Sequence, residues 1–213
     1  MVEKTLSKNT KSSLELLGAS GLLKDAYLAG GTALALQIGH RVSVDLDFFT
    51  RKEFNERLLL SGLVKLSKDF KLERSSNDTI LGNIKGVRFS LFFYNYPLLA
   101  PPKKFLKINI LTVQDIAPMK LSAISSRGTK RDFIDLYFIA AVEKILTLEE
   151  VFYLYERKFK SLKQNKTHLL KSLVYFRDAD QDAMPEMIKK MEWAEAKSFF
   201  ENEVYRLTRR GLV

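Results

Sequence analysis

The sequence predicts an α+β protein of two domains, a mixed α/β domain over residues 1–113 and an all-helical domain over residues 114–213. Three observations support this prediction. Short apolar segments bounded by turn residues, as strands are, occur only in the first domain. A loop rich in proline (Pro97, Pro101 and Pro102) precedes the boundary. From Asp115 onward, apolar residues recur with helical spacing almost throughout.

Helices and strands are both expected in the first domain. The predicted helices are Ser12–Ser20, a short segment from Thr32 to Ile38, and Phe54–Leu66. The predicted strands are Ala26–Leu28, Val42–Phe49, Lys71–Arg74, Thr79–Ile84, Val87–Tyr94 and Lys107–Leu111. Thr32 is expected to cap the short helix and Gly39 to end it, because these residue types favour those positions. Asn83–Gly86 is expected to form the turn of a hairpin.

The composition is that of a soluble globular protein. Of the 213 residues, 46% are hydrophobic and 28% are charged, and there is no cysteine. The lack of cysteine excludes thiolate zinc sites, cysteine nucleophiles and disulfides, and it is compatible with a reducing compartment. Residues 1–13 lack the apolar core of a secretory signal, and the apolar stretches are too short to span a bilayer. We therefore expect a cytoplasmic protein that does not bind membranes.

The chain is strongly basic. It carries 35 Lys and Arg against 25 Asp and Glu, a formal net charge of +10. Such a surplus attracts polyanions, so nucleotides and nucleic acids are natural partners. A basic surface that only keeps the protein in solution explains the same composition equally well.

Asp45 and Asp47 are separated by a single residue in a predicted strand. Because side chains alternate along a strand, both carboxylates should point to one face, and Val44, Leu46 and Phe48 to the other. Two neighbouring carboxylates can share a hard divalent cation such as Mg²⁺. Two solvent-facing acids on a strand are the simpler interpretation of the pair taken alone.

Gly30 and Gly31 precede Thr32 at the start of the predicted short helix. Free backbone N–H groups and the positive end of the helix dipole make such a position suitable for phosphate. Nucleotidyl transfer requires phosphate and metal sites on adjacent elements, because the reaction depends on positioning and charge neutralisation. A glycine pair alone is often a plain turn, but the glycine turn followed by two aspartates is more specific.

A second group of charged residues lies in the segment from Asp115 to Ala140. Lys120 and Arg127 are seven residues apart and would share one face of a continuous helix. Gly128 is expected to separate this helix from the next. The next helix presents a mixed charged face made of Arg131, Asp132 and Asp135. An ordinary helix surface with salt bridges explains the same pattern.

Taken together, Tyr27–Phe49 (YLAGGTALALQIGHRVSVDLDFF) and Lys120–Leu136 (KLSAISSRGTKRDFIDL) resemble the AbiEii/AbiGii-type toxin family of nucleotidyltransferases. The resemblance covers nearly the whole chain, from about Leu28 to about Phe200. It implies a polymerase-β-like nucleotidyltransferase domain with a mixed β-sheet, followed by the helical domain. It also implies an active cleft between the two domains.

The resemblance implies a toxin of a bacterial toxin–antitoxin or abortive-infection system. Such a protein would move a nucleoside monophosphate from an NTP to an RNA acceptor such as tRNA, and a cognate antitoxin would be its protein partner. Asp45 and Asp47 would hold Mg²⁺ or Mn²⁺. The nucleotide-binding residues would be Gly30, Gly31, Thr32, Ser43, Lys120, Arg127 and Arg131.

The resemblance also gives roles to the helical domain. Lys120 would neutralise phosphate charge from an accessible position on the cleft wall. Asp132 or Asp135 would orient this lysine or the nucleophile. We expect Asp132 to face the cleft as a catalytic acid and Asp135 to pair with Arg131.

One strand departs from the pattern of the superfamily. Many members carry a third carboxylate on a strand beside the aspartate pair, but Val87–Tyr94 contains no acid and Ser90 stands at the corresponding place. Either Asp132 or Asp135 supplies the third acid, or the chain binds nucleotide with little turnover. Two alternatives to transfer onto RNA therefore stay open: a degenerate nucleotide- or RNA-binding module, and transfer to a small molecule or a protein hydroxyl.

Overall fold

The computed structural model describes residues 1–162 and 165–211. Contacts between residues divide the chain into two compact units. Unit 1 comprises Met1–Pro97 and Pro101–Thr112, and unit 2 comprises Leu98–Ala100 and the chain from Val113 onward. Within the described ranges, no helix combines the length and apolar character needed to cross a membrane.

Unit 1 is a mixed β-sheet with three α-helices among its described residues. The strands are β1 Ala26–Leu28, β2 Leu46–Thr50, β3 Lys71–Ser76, β4 Thr79–Ile84, β5 Val87–Phe93, β6 Lys103–Phe105 and β7 Ile108–Ile110. The helices are α1 Lys8–Ser20, α2 Gly30–Ile38 and α3 Glu56–Leu66. The seven strands have the order β3-β4-β5-β2-β1-β7-β6. β1 is antiparallel to β2 and parallel to β7, and β2 is parallel to β5.

The two faces of this sheet differ in burial, as the alternation of side chains requires. Leu46 and Phe48 on β2 are fully buried, whereas Asp47 and Phe49 between and after them are half-buried. The buried face continues across the neighbouring strands through apolar side chains: Leu28, Ile80, Ile84, Phe89, Leu91, Ile108 and Ile110. Asp47 therefore projects from the sheet face opposite this core.

Several predicted boundaries in unit 1 need correction. The helix α2 begins at Gly30 with Ala29 as its N-cap, so Thr32 is inside the helix and does not cap it. The expected end at Gly39 is confirmed, since Gly39 adopts a left-handed conformation with φ of 66°. Strand β2 begins only at Leu46, and Val44 is 48% exposed instead of facing the core. Side chains on the core face are therefore buried only from Leu46 onward, where strand β2 begins.

Strand β6 has no counterpart among the predicted strands. Its sequence, Lys-Lys-Phe, has neither alternation nor β-branched residues that would mark a strand. It lies at the edge of the sheet, where lysines are frequent because they discourage pairing with other chains. The turn to β7 places Leu106 and Lys107 at positive φ. This conformation is uncommon for such residues and could not be predicted from the sequence.

Unit 2 is helical in its described part, as predicted. Its α-helices are α4 Val113–Ser126, α5 Lys130–Tyr137, α6 Leu148–Lys158, α7 Lys166–Leu173, α8 Arg177–Gln181 and α9 Trp193–Arg209. The expected break at Gly128 is confirmed, because Gly128 has φ of 55° between α4 and α5. A π-helical turn, Phe138–Val142, continues α5.

A buried ion pair organises the start of unit 2. Asp115 Oδ1 lies 2.6 Å from Nζ of Lys158, and both side chains are fully buried. The same carboxylate accepts hydrogen bonds from the backbone N–H groups of Leu99 and Ala100. These bonds explain why the short segment Leu98–Ala100 belongs to unit 2 although its flanking residues belong to unit 1.

Candidate active site

The turn from β1 into α2 approaches Asp47 closely. The backbone N–H of Ala29 donates a hydrogen bond of 2.9 Å to the carbonyl oxygen of Asp47. Gly30 follows with φ of 64°, and a Cβ atom on it would lie 3.0 Å from Oδ2 of Asp47. Glycine is required here both for the left-handed conformation and for the space. The N-terminus of α2 and a carboxylate of the aspartate pair are therefore neighbours.

Gly31 leaves space for a buried arginine. A Cβ atom on Gly31 would lie 2.2 Å from Nη2 of Arg41 and 3.2 Å from Oγ of Ser43. Arg41 is only 3% exposed, and its Nη1 donates to the carbonyl oxygen of Val42. Arg41 was not among the predicted site residues. It could have been selected because, in the sequence, it lies between the end of α2 and the aspartate pair.

Thr32 and Ser43 join α2 to the segment that leads into β2. Thr32 Oγ1 donates a hydrogen bond of 2.5 Å to the carbonyl oxygen of Asp45, and it lies 2.9 Å from Ser43 Oγ. Both side chains are buried. These hydroxyls therefore fix the backbone at Asp45, which sets the position from which its carboxylate extends.

Ser90 lies directly opposite Asp47. The parallel register of β2 and β5 pairs the two residues, and Ser90 Oγ donates a hydrogen bond of 2.6 Å to Oδ1 of Asp47. Ser90 is 4% exposed. Ser90 stands where a third carboxylate was expected from the resemblance, and the register puts it beside Asp47. One oxygen of Asp47 is held by Ser90, and the other lies next to Gly30.

The donor set around Asp45 and Asp47 suits a particular kind of metal binding. Both residues are half-buried, with Asp45 just before β2 and Asp47 within it. No group of three or more His, Cys, Asp or Glu is placed to hold a metal ion in the part of the chain that the structure describes. Mg²⁺ is commonly held by one or two carboxylates, with phosphate and water completing its shell. The Asp47 carboxylate beside a helix N-terminus, with a second aspartate two residues before it, fits that mode.

In unit 2, Lys120 forms a buried ion pair with two acids. Its Nζ lies 2.9 Å from Oδ1 of Asp132 and 2.6 Å from Oδ2 of Asp135. The Lys120 side chain is only 7% exposed, so the expected accessible position on a cleft wall is corrected. The Asp135 carboxylate lies against Lys120, and its expected pairing with Arg131 stays a prediction. Arg131 is exposed on α5.

Asp132 is at the centre of this buried network. Nε and Nη2 of Arg127 donate to its two oxygens at 2.9 and 3.1 Å, and Thr129 Oγ1 donates at 2.7 Å. Burial by itself raises the pKa of the Asp132 carboxyl, but the charge of Lys120 and the hydrogen bonds of Arg127 outweigh it and hold the pKa at about 2. A group with so low a pKa is a weak proton acceptor near neutral pH. This geometry favours the interpretation that Asp132 orients Lys120.

The structure thus gathers the predicted site residues into two groups. The group in unit 1 consists of Gly30, Gly31, Thr32, Ser43, Asp45 and Asp47, to which Arg41 and Ser90 are added. The group in unit 2 consists of Lys120, Arg127 and Asp132, to which Thr129 and Asp135 are added. The first group brings an aspartate carboxylate to the start of α2, and the second holds a lysine in a fixed position.

Comparisons with known proteins identify similar sequences and similar structures. A family model described as "Nucleotidyl transferase AbiEii toxin, Type IV TA system" matches residues 14–90 and 91–204. The chain is 37% identical over 203 residues to "Uncharacterized protein aq_aa25" of Aquifex aeolicus, a match that covers 93% of this chain and 96% of that protein.

Two solved structures are similar over nearly the whole chain. JHP933 from Helicobacter pylori has 20% sequence identity and a TM-score of 0.56, and the match covers 97% of this chain and 96% of that one. The nucleotidyltransferase toxin MenT4 from Mycobacterium tuberculosis has 14% identity and a TM-score of 0.56, covering 95% and 86%. At these identities the two structures show a shared fold.

Proposed function

Because the chain belongs to the AbiEii nucleotidyltransferase toxin family of type IV toxin–antitoxin systems, we propose that it transfers a nucleoside monophosphate from an NTP to an RNA acceptor. Family membership makes the protein a nucleotidyltransferase with an NTP substrate and an antitoxin partner. The acceptor, the metal and the role of each residue are our proposals. The observation that carries them is the Asp47 carboxylate, held by Ser90 on one side and lying beside the α2 N-terminus on the other.

The N-terminus of α2 is proposed to bind the triphosphate. Gly30 and Gly31 put no side chain of their own at the start of the helix, and the first backbone N–H groups of a helix carry partial positive charge. Arg41, packed against Gly31, adds a full positive charge behind the turn. Thr32 and Ser43 support this turn through their hydroxyls.

Asp45 and Asp47 are proposed to hold Mg²⁺ or Mn²⁺ together with the triphosphate. When bound, such an ion supplies charge neutralisation on the phosphate oxygens. Ser90 keeps one oxygen of Asp47 fixed, so the carboxylate loses little rotational freedom when a ligand binds. The side chains of this chain thus provide a prepared set of oxygen donors.

Lys120 is proposed to neutralise phosphate charge, with Asp132 as a positioning residue in place of a catalytic acid. Two donors of the Lys120 ammonium point to Asp132 and Asp135, which fixes the direction of its side chain. Arg127 in the turn between α4 and α5 and Arg131 on α5 add positive charge. A fixed cation needs little reorganisation when charge develops on a transferring phosphoryl group.

RNA is proposed as the acceptor because of the charge of the protein. A net charge of +10 favours a polyanionic acceptor over a small molecule or a protein hydroxyl. In the reaction, a hydroxyl oxygen of the RNA bonds to the α-phosphorus of the NTP, the bond from that phosphorus to the bridging oxygen breaks, and pyrophosphate leaves. The hydroxyl proton passes to solvent. Because NTPs and RNA are found there, the cytoplasm is the proposed location of the reaction.

A second candidate function is binding of NTP without transfer. Two observations favour it: Ser90 stands where many superfamily members carry a third acid, and the pKa of Asp132 is held at about 2. Neither residue is then a general base. Transfer to RNA requires that the acceptor hydroxyl lose its proton without help from these two groups.

The experiment is incubation of the protein with each α-labelled NTP, total tRNA and Mg²⁺ or Mn²⁺. Label on RNA is expected with the unmodified protein and is expected to disappear in Asp45→Asn and Asp47→Asn. Asp69→Asn is the matched control, because Asp69 is an exposed acid in the same unit. Label on a small molecule or on protein would mean that the acceptor belongs to that class. Binding of NTP without any labelled product would establish the second candidate.

A further inference from the structure

A polar groove lies within unit 2, away from the residues assigned above except for Arg127. The last turn of α4 and the loop after it form one wall, and α7 with the chain that follows it forms the other. The groove has a volume of about 330 Å³. The residues that line it include Ser125, Arg127, His168, Lys171, Tyr175 and Asp178.

The walls of this groove are fixed from behind. Ile124 on α4 and Leu169 and Leu173 on α7 are buried, so both helices are anchored in the core of the unit. At the surface, Nε2 of His168 lies 3.4 Å from the carbonyl oxygen of Ser125 and links the two walls. The groove is therefore a feature of the folded unit and does not depend on a mobile loop.

Arg127 is both exposed and held in place. Its side chain is 63% exposed, yet two of its nitrogens are bound to the buried carboxylate of Asp132. Much of the conformational entropy of this long side chain is already lost in the free protein. An anion that binds the guanidinium group therefore meets a prepared donor, which increases affinity.

Lys171 and Tyr175 complete the set of groups. Lys171 is exposed on α7, and it forms no ion pair with any residue that the structure describes. Tyr175 is 54% exposed, which leaves much of an aromatic ring facing water. Single-stranded RNA is bound by this combination, because cations contact its phosphates and aromatic rings stack on its unpaired bases.

We propose that this groove binds the single-stranded part of an RNA acceptor, with a phosphate at Arg127 and Lys171 and a base stacked on Tyr175. The inference rests on the proposed function, in which RNA is the acceptor. The volume is at the lower end of ligand sites, which span about 300–1,000 Å³, and suits one nucleotide at a time. Asp178 would repel a phosphate on its own side of the groove, which favours a base there.

The first test is binding of a fluorescein-labelled single-stranded oligoribonucleotide, followed by anisotropy over a series of salt concentrations. Lys171→Ala is expected to weaken binding and to lower the slope of log affinity against log salt by about 0.7, the share of one phosphate contact. Lys190→Ala is the matched control, because Lys190 is exposed in the same unit and its loss changes net charge equally. The inference is overturned if the two variants bind alike.

The second test separates stacking from charge. Tyr175→Ala is expected to weaken binding about tenfold without changing the salt slope, because stacking on a base involves no counterion release. Tyr205→Ala is its control, since Tyr205 is 62% exposed on α9 and does not line the groove. Equal affinity of Tyr175→Ala and the unmodified protein would contradict the stacking role. Thermal denaturation of all four variants checks that each is folded.

The same proteins distinguish failure of the inference from failure of the proposed function. NTP binding is measured in parallel and is expected to be unchanged in the Lys171 and Tyr175 variants. If the unmodified protein labels and binds RNA but these variants do so equally well, the groove assignment alone is wrong. If the unmodified protein binds NTP but neither binds nor labels RNA, both the RNA acceptor and the groove assignment are wrong.

Discussion

Ser90 and Asp47 face each other across β5 and β2 and are joined by a hydrogen bond of 2.6 Å between Oγ and Oδ1. The hydroxyl holds the carboxylate without adding a negative charge. A hydrogen bond to an ionised acceptor is stronger than one between neutral groups, so it defines the orientation of Asp47 well. The second oxygen of Asp47 is thereby kept beside Gly30 at the start of α2.

We predict that Ser90→Ala weakens metal-dependent transfer more than it weakens the fold. Without this hydrogen bond the Asp47 side chain must be ordered when the cation binds, at a cost of about 0.5–1.5 kcal/mol, which corresponds to about a twofold to tenfold loss of metal affinity. The Mg²⁺ concentration for half-maximal transfer should rise accordingly, as measured by titration with labelled NTP. Ser76→Ala, on the exposed surface of β3, is the control. An unchanged Mg²⁺ requirement would contradict the positioning role of Ser90.

We further predict that Ser90→Asp makes the fold depend on a divalent cation. A third carboxylate beside Asp47 repels it, so the free energy of unfolding should fall in the presence of a chelator. Mg²⁺ relieves this repulsion and, by binding the folded state, should raise the melting temperature more than in the unmodified protein. Ser90→Asn has a similar shape without the charge and should show no such gain. Equal responses to Mg²⁺ in both variants would count against a cation at this place.

Much of the unit 1 site follows from local sequence. The glycine turn and the helix end at Gly39 are each specified by a few adjacent residues, whereas the position of Ser90 beside Asp47 was suggested by the family resemblance and depends on the pairing of β2 with β5. The start of β2 was predicted four residues too early, because apolar residues alternate before the backbone becomes extended. Local pattern does not say how far strand pairing extends.

The arrangement of unit 2 could be predicted only in part. Helical spacing placed Lys120 and Arg127 on one face, and both contact Asp132. Burial of Lys120 could not be foreseen, because it depends on how α5 packs against α4. The same is true of Asp115 and Lys158, which are 43 residues apart in the chain and meet in the interior. Buried pairs of this kind leave no periodic signal in one sequence.

Gly30 and Gly21 both adopt the left-handed conformation, and they allow a matched test of the turn. Both have φ near 65°, but a Cβ atom on Gly21 would meet nothing within 4 Å, whereas one on Gly30 would lie 3.0 Å from Asp47 Oδ2. Alanine should cost about 1–2 kcal/mol of folding free energy at either position through backbone strain. NTP affinity, measured by calorimetry, should fall only in Gly30→Ala. Equal NTP affinities in the two variants would mean that the turn at Gly30 does not contribute to nucleotide binding.

We predict that Lys120→Met destabilises unit 2 strongly. The change keeps much of the side-chain volume but leaves Asp132 and Asp135 buried with one cation fewer. Removing one partner of a buried ion pair typically costs about 3–5 kcal/mol. Lys190→Met on the exposed surface should change the free energy of unfolding by no more than about 0.5 kcal/mol. Urea denaturation of both variants checks this, and similar values would mean that the Lys120 pair contributes little.

The last prediction concerns how the free energy of unfolding changes at acidic pH. The pKa of Asp132 is about 2 in the folded protein against an ordinary value of 3.8, because Lys120 and Arg127 outweigh the effect of burial. A depressed pKa stabilises the fold above the unfolded pKa, and that contribution, about 2.5 kcal/mol, is lost as pH falls from about 5 towards 2. About 1 kcal/mol of it should already be lost at pH 3.

Asp132→Asn removes this titration while keeping the shape of the side chain. The unmodified protein should therefore lose its advantage over Asp132→Asn as the pH is lowered, with a gap in unfolding free energy that is constant above about pH 6 and about 1 kcal/mol smaller at pH 3. Urea denaturation at several pH values between these limits measures the gap directly. The direction in which the gap changes with pH is informative. A carboxyl poised as a general base would have a raised pKa, and the gap in unfolding free energy would then widen as the solution is acidified. A gap that stays constant throughout would mean that Lys120 and Arg127 do not hold the Asp132 carboxylate in the way its contacts indicate.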